Sequence, residues 1–268
     1  MTTTRGLREQ ADPITMLTAY DAQTARLIDD AGIDVLLVGD SMGTEALGYD
    51  STLPVTVEEV ESRTAAVARG SDDALVVADM PFLSVGVDES ETVRNAGRML
   101  KEAGADAVKL ESGPHTVEVT ERLTQLGIPV MAHLGLTPQH VNQLGDYTRQ
   151  GTTEAAAEEI LSLARAHEDA GAFALVLEHV PANLAAQVTD DLDIPTIGIG
   201  AGGDCDGQVL VISDVLGLSE DAPPFAEQFG DVRAAMTDAI EAYKHAVASG
   251  SFPAAEHSHV EEGLDDID

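Results

Sequence analysis

The chain has 268 residues, 44% of them hydrophobic, with 48 acidic against 14 basic side chains and a formal charge of −34. A surface this negative repels nucleic acid and anionic lipid, and no apolar run reaches the roughly 18 residues that a membrane span needs. The single cysteine, Cys205, excludes an internal disulfide and fits a reducing cytoplasm.

The first strand candidate is 14–18, followed by a helix over 22–31 that Asp21 can cap and Gly32 can stop. Before it, residues 1–13 lack the apolar core of a signal peptide, so nothing indicates secretion. The run from Asp34 to Val38 is apolar without polar alternation and ends in Gly39-Asp40-Ser41, which reads as a strand buried on both faces. A loop over 42–56 precedes a helix over 57–69. A strand over 74–78 then ends in Asp79, and a helix over 89–103 leads to a strand over 107–111 that carries Lys109 and Glu111. Further on, a helix over 117–126 precedes a strand over 129–132 that ends in His133. A polar connection follows over 137–152, then a helix over 153–170 and a strand over 173–177 that ends in Glu178. A helix opens at Pro181, strands over 194–199 and 208–212 come next, and a terminal helix runs over 232–247.

Eight buried-type strands, mostly separated by a helix and a glycine stop, predict a (β/α)8 TIM barrel, with an irregular seventh-to-eighth connection. A doubly wound open sheet is the other arrangement compatible with the pattern, because strand order is not written in the sequence. The expected division is one barrel domain over 1–250 and an acidic, mobile tail over 251–268. His257 and His259 in that tail make a poor metal site.

In a barrel the C-terminal strand ends share one mouth. Asp40, Asp79 and Glu111 would then converge as oxygen donors, a set that suits a hard cation such as Mg2+. Each of these acids, taken singly, is also an ordinary helix cap. Lys109 lies inside an apolar strand of a protein with only two other lysines, Lys101 and Lys244. Two residues apart, Lys109 and Glu111 point to one face, where the lysine can pair with Glu111, bind an anion or a developing enolate, or form a Schiff base. Glu178 suits a general base, and the other reading is a solvated loop acid. His133 can orient substrate or satisfy backbone groups. The glycine-rich run 198–203 can cradle phosphate, but tight turns account for it equally.

Several blocks resemble ketopantoate hydroxymethyltransferases: residues 16–21 (MLTAYD), 38–41 (VGDS), 50–56 (DSTLPVT), 79–82 (DMPF), 108–111 (VKLE), 133–139 (HLGLTPQ), 177–181 (LEHVP), 197–202 (IGIGAG) and 206–211 (DGQVLV). They run in family order over most of the chain. The resemblance implies a barrel of the phosphoenolpyruvate/isocitrate-lyase-like group. It also implies hydroxymethyl transfer from 5,10-methylenetetrahydrofolate, a reduced folate, to 3-methyl-2-oxobutanoate, and a large ring-based homo-oligomer such as a decamer. Carried over, Asp40, Asp79 and Glu111 match the family's Mg2+ positions. Asp40, Ser41, Asp79 and Lys109 match its oxo-acid-binding positions, and Glu178 its proton acceptor. One departure stands out. Where the family carries a basic glycine-rich segment, this chain reads Gly145-Asp146-Tyr147-Thr148-Arg149-Gln150-Gly151-Thr152, with Thr148 and Thr152 in place of two cations.

Overall fold

A computed structural model describes residues 1–145, 147–219 and 222–261. In chain order its elements are α1 (Thr4–Glu9), β1 (Ile14–Thr18), α2 (Ala22–Asp30), β2 (Val35–Val38), α3 (Met42–Glu45), α4 (Val57–Gly70), β3 (Leu75–Asp79), α5 (Glu89–Lys101), β4 (Ala107–Glu111), α6 (Val117–Gln125), β5 (Val130–Gly135), α7 (Val141–Leu144), α8 (Glu154–Asp169), β6 (Ala174–Glu178), α9 (Ala182–Asp191), β7 (Thr196–Ile199), β8 (Gly207–Leu210), α10 (Ile212–Leu216) and α11 (Val232–Ser249). The eight strands pair in sequence order, every pair parallel, and β8 closes on β1. The predicted (β/α)8 barrel is what forms, and no helix separates β7 from β8.

Alternation along the strands sorts the residues. One set faces the barrel interior, where Met16, Val35, Leu37, Val77, Met131 and Val176 pack in one cluster. The other set faces outward: Leu134, Leu175 and Leu177 meet Ile160 and Ala164 of α8 and Leu184 and Val188 of α9. Burial on both faces is why these strands carry almost no polar residue before their ends.

The structure adds elements that periodicity did not predict. α1 is too short to show a pattern, yet Thr3 caps it and Leu7 joins the interior cluster. The expected loop 42–56 begins with the single turn α3, and the connection 137–152 contains the 3-10 turn Pro138–His140 and α7. β5 continues to Gly135, so His133 lies within the strand and not after it.

The chain divides into two compact units. The first is Met1–Ile212 with Pro223–Ala226 and contains the whole barrel. The second is Ser213–Ala222 together with the chain from Glu227 onward, and contains α11. In the expected tail, Ala255–His257 form a 3-10 turn, and residues 262–268 lie outside the described residues.

Candidate active site

Strand register decides which side chains meet. Interior positions of β3 run Leu75, Val77, Asp79; those of β4 run Ala107, Lys109, Glu111; β5 contributes Met131 and His133, and β6 contributes Ala174, Val176 and Glu178. Apolar side chains therefore fill the lower barrel and polar ones collect at the C-terminal end. Asp40, Ser41, Asp79, Lys109, Glu111, His133 and Glu178 all line one cavity of about 110 Å³ there. The seven residues that the sequence analysis assigns to the site are thus brought to the same mouth.

Lys109 is buried, and register pairs it with Asp79. Its Nζ lies 2.7 Å from Asp79 Oδ1, so the ion pair that forms is not the one with Glu111 that spacing along the strand allows. Burial alone would lower the lysine pKa, but the charges of Asp79, Asp40 and Glu111 outweigh it and hold the ammonium above its usual value. The Asp40 pKa rises as well. Burial first, then the neighbouring Asp79 and Glu111, push its carboxyl well above the usual range.

His133 stands between the lysine and the base. Its Nδ1 is 3.4 Å from Lys109 Nζ, and its Nε2 is 3.1 Å from Glu178 Oε2. An ammonium only donates, so Nδ1 accepts and the ring proton sits on Nε2, facing Glu178. That second approach has the distance of an ion pair but not the angle of a hydrogen bond. His133 therefore does more than satisfy backbone groups.

Ser41 Oγ shares a 2.9 Å hydrogen bond with the Tyr20 hydroxyl. Burial raises the phenol pKa against the lowering effect of Ser41 and Thr18, so Tyr20 stays protonated. Gly39 makes room for this contact, since a Cβ there would lie 2.8 Å from Ser41 Oγ. At the end of β6, His179 takes a left-handed backbone (φ 49°) and its ring packs 5.3 Å from Phe225.

Three residues went unnoticed as site residues in the sequence. Tyr20 and Gln139 appear there only inside the resembling blocks. Gln139 bonds both Asp40 and Glu111. His140 approaches Glu111 Oε2 at 3.5 Å, and that carboxylate raises the imidazole pKa against partial burial. No periodic or charge signal marks a carboxamide or an imidazole on a short turn.

The oxygen-only, buried donor set fits a hard cation, because three carboxylates face a single internal lysine. As they stand, Asp79 is turned to Lys109, and Glu111 to Gln139 and His140. Among the described residues, no group of three or more His, Cys, Asp or Glu side chains is arranged to hold a metal ion. In the departing segment, Thr148 accepts from Gln150 and Asp146 lies outside the described residues. Tyr147 feels Asp40, Glu111 and Glu178, which with its burial raise its pKa.

A family model described as ketopantoate hydroxymethyltransferase matches residues 1–255. The chain belongs to the ketopantoate hydroxymethyltransferase family. It is a hydroxymethyltransferase. Among its relatives, the 3-methyl-2-oxobutanoate hydroxymethyltransferase of Haloarcula marismortui is 70% identical over 100% of both chains. That of Halobacterium salinarum is 71% identical over 97% of this chain and 94% of its own. Among solved structures, 2,3-dimethylmalate lyase, a PEP mutase/isocitrate lyase superfamily member, superposes with TM-score 0.60 at 17% identity, covering 98% of this chain and 92% of its own. At that identity the likeness concerns the barrel fold alone.

Proposed function

We propose that the chain transfers a hydroxymethyl group from 5,10-methylenetetrahydrofolate to 3-methyl-2-oxobutanoate, giving 2-dehydropantoate, with Mg2+ at the barrel mouth. One observation carries the mechanism: Glu178 faces the Lys109–Asp79 pair across a single cavity, with His133 between them. Asp40 and Asp79, with Glu111 behind them, would hold the cation, which supplies Lewis-acid polarisation of the keto oxygen when bound.

The residues of the chain perform the remaining steps. Ser41, its hydroxyl oriented by Tyr20, donates to the oxo acid. Lys109 places positive charge where the enolate develops. Glu178 takes the C3 proton, with His133 Nε2 lying 3.1 Å from its carboxylate. Water cleaves both C–N bonds of the carrier's methylene bridge, leaving formaldehyde and the reduced folate; C3 then attacks the formaldehyde carbon, and the C=O electron pair becomes an alkoxide. Glu178 returns a proton to the new alkoxide.

Cys205 supports this reading over a lyase with a reactive thiol at the mouth. It lines a different cavity, at the N-terminal ends of the strands with Pro13 and Ile194, and burial raises its pKa. The reading includes a cytoplasmic homo-oligomer. No described helix is long and apolar enough to cross a membrane. α11 presents Met236, Ile240, Tyr243 and Val247, 47–64% exposed, as one stripe suited to a second copy of the chain.

The decisive experiment leaves the carrier out. At molar salt with Mg2+ and 3-methyl-2-oxobutanoate in deuterated water, the C3 proton should exchange. Glu178→Gln should slow exchange about 100-fold or more. Wild-type protein that leaves the C3 proton in place would refute enolisation at this site.

A further inference from the structure

Gln139 sits on the turn Pro138–His140, above the carboxylates. Its Nε2 donates to Asp40 Oδ2 at 2.8 Å and to the Met80 carbonyl at 3.0 Å. Its backbone N–H is shared between the two oxygens of Glu111, each at 3.1 Å. Both amide protons are used, and the amide has only one workable orientation. Turned round, Oε1 would face a carboxylate and a carbonyl, both acceptors. One neutral residue thus fastens two of the three carboxylates, from β2 and β4, on either side of β3.

Neutrality matters here. Lys109 already sets one positive charge against Asp40, Asp79 and Glu111. A second cationic side chain would halve the surplus charge that draws a divalent ion. A carboxamide supplies charge-assisted hydrogen bonds without doing so. At Asp40 the bond to Oδ2 also fixes the carboxylate plane and leaves Oδ1 to face an ion, while the shared N–H holds the Glu111 carboxylate by both oxygens.

We propose that Gln139 is the positioning residue that sets the divalent-cation affinity of this mouth, through Asp40 by its side chain and Glu111 by its backbone. The inference rests on the reading of the mouth as a Mg2+ site. It goes beyond that reading by assigning affinity to a residue that is not itself a ligand.

The test is a calorimetric titration of Mg2+ alone into the full chain at molar KCl, without oxo acid or carrier. Gln139→Ala and Gln139→Asn, which remove the amide or its reach, should raise the Mg2+ Kd about 10- to 100-fold. Gln139→Lys keeps a donor beside Asp40 but adds charge. It should fold in the absence of Mg2+, and its thermal midpoint should no longer move when Mg2+ is added. This variant carries the test if the alanine variant fails to fold. Wild-type affinity in the asparagine or alanine variant, or a Mg2+-dependent midpoint in Gln139→Lys, would overturn the proposal. No Mg2+ binding by the wild type would overturn the metal reading itself and this inference with it, a result distinct from equal binding by wild type and variants.

Discussion

Lys109 shows what a residue's type reveals and what it conceals. A lysine inside an apolar strand announces itself, because burying an unpaired ammonium is costly. Its partner does not. Spacing along β4 offers Glu111 two residues on, but side chains two apart on a strand stand side by side, and the pair that forms is Lys109–Asp79 across the β3–β4 register. Removing this cation leaves Asp79, Asp40 and Glu111 facing one another in a buried site. In the metal-free protein, Lys109→Met should therefore cost about 3–5 kcal/mol, read from the denaturant midpoint. Added Mg2+ should recover part of that loss by replacing the missing positive charge. A loss below about 1 kcal/mol would show that the carboxylates are not held at that charge balance. Gln139 is the opposite case: a common polar residue on a short turn, whose importance comes entirely from two carboxylates brought to it by other strands.

At the scale of elements, apolar runs with glycine stops were enough to place all eight strands, since parallel strands buried on both faces leave that signature. Short elements were not legible. α1, α3, α7 and α10 span six residues or fewer, less than two turns, so no periodicity can accumulate. β5 also runs past the predicted residue 132 to Gly135, and here the site depends on it. Gly135 has φ 100°, and a Cβ at that position would lie 2.2 Å from the Glu178 carbonyl oxygen. That oxygen accepts from Leu136 N–H at 2.8 Å, which ties the ends of β5 and β6 together beside the base. Gly135→Ala should lower stability by about 2 kcal/mol or more and slow C3 exchange with it. Thermal unfolding and the exchange assay would both read the effect, and a wild-type midpoint would show that the backbone tolerates a side chain there.

The charge belongs to the whole molecule. With 48 acids and 14 bases, most carboxylates have no basic residue to pair with. Unlike the buried Lys109–Asp79 pair, surface pairs such as Arg98–Glu58 and Arg122–Glu89 are partly exposed and of small individual worth. Repulsion among the remainder is screened over about 10 Å at 0.1 M salt and about 3 Å at 1 M. The Haloarcula and Halobacterium relatives come from halophiles. Diluting salt should unfold the protein, followed by circular dichroism, with sedimentation recording subunit number on the same samples. Unchanged stability at low ionic strength would refute the adaptation to salt, and a monomer at molar salt would refute self-association.

The amino-acid sequence by itself determined eight buried-type strands and the polar residues at or near their ends, from Asp40 and Ser41 through Asp79, Lys109, Glu111 and His133 to Glu178, and left a barrel and an open sheet both compatible. It could do so because burial and strand alternation act locally and leave a readable pattern. Who touches whom was decided only by the tertiary structure. Lys109 turns to Asp79, His133 bridges to Glu178, Tyr20 orients Ser41, and Gln139 clasps Asp40 and Glu111. Each of these contacts joins segments distant in the chain, and closing the barrel with one strand register is what brings their side chains within bonding distance.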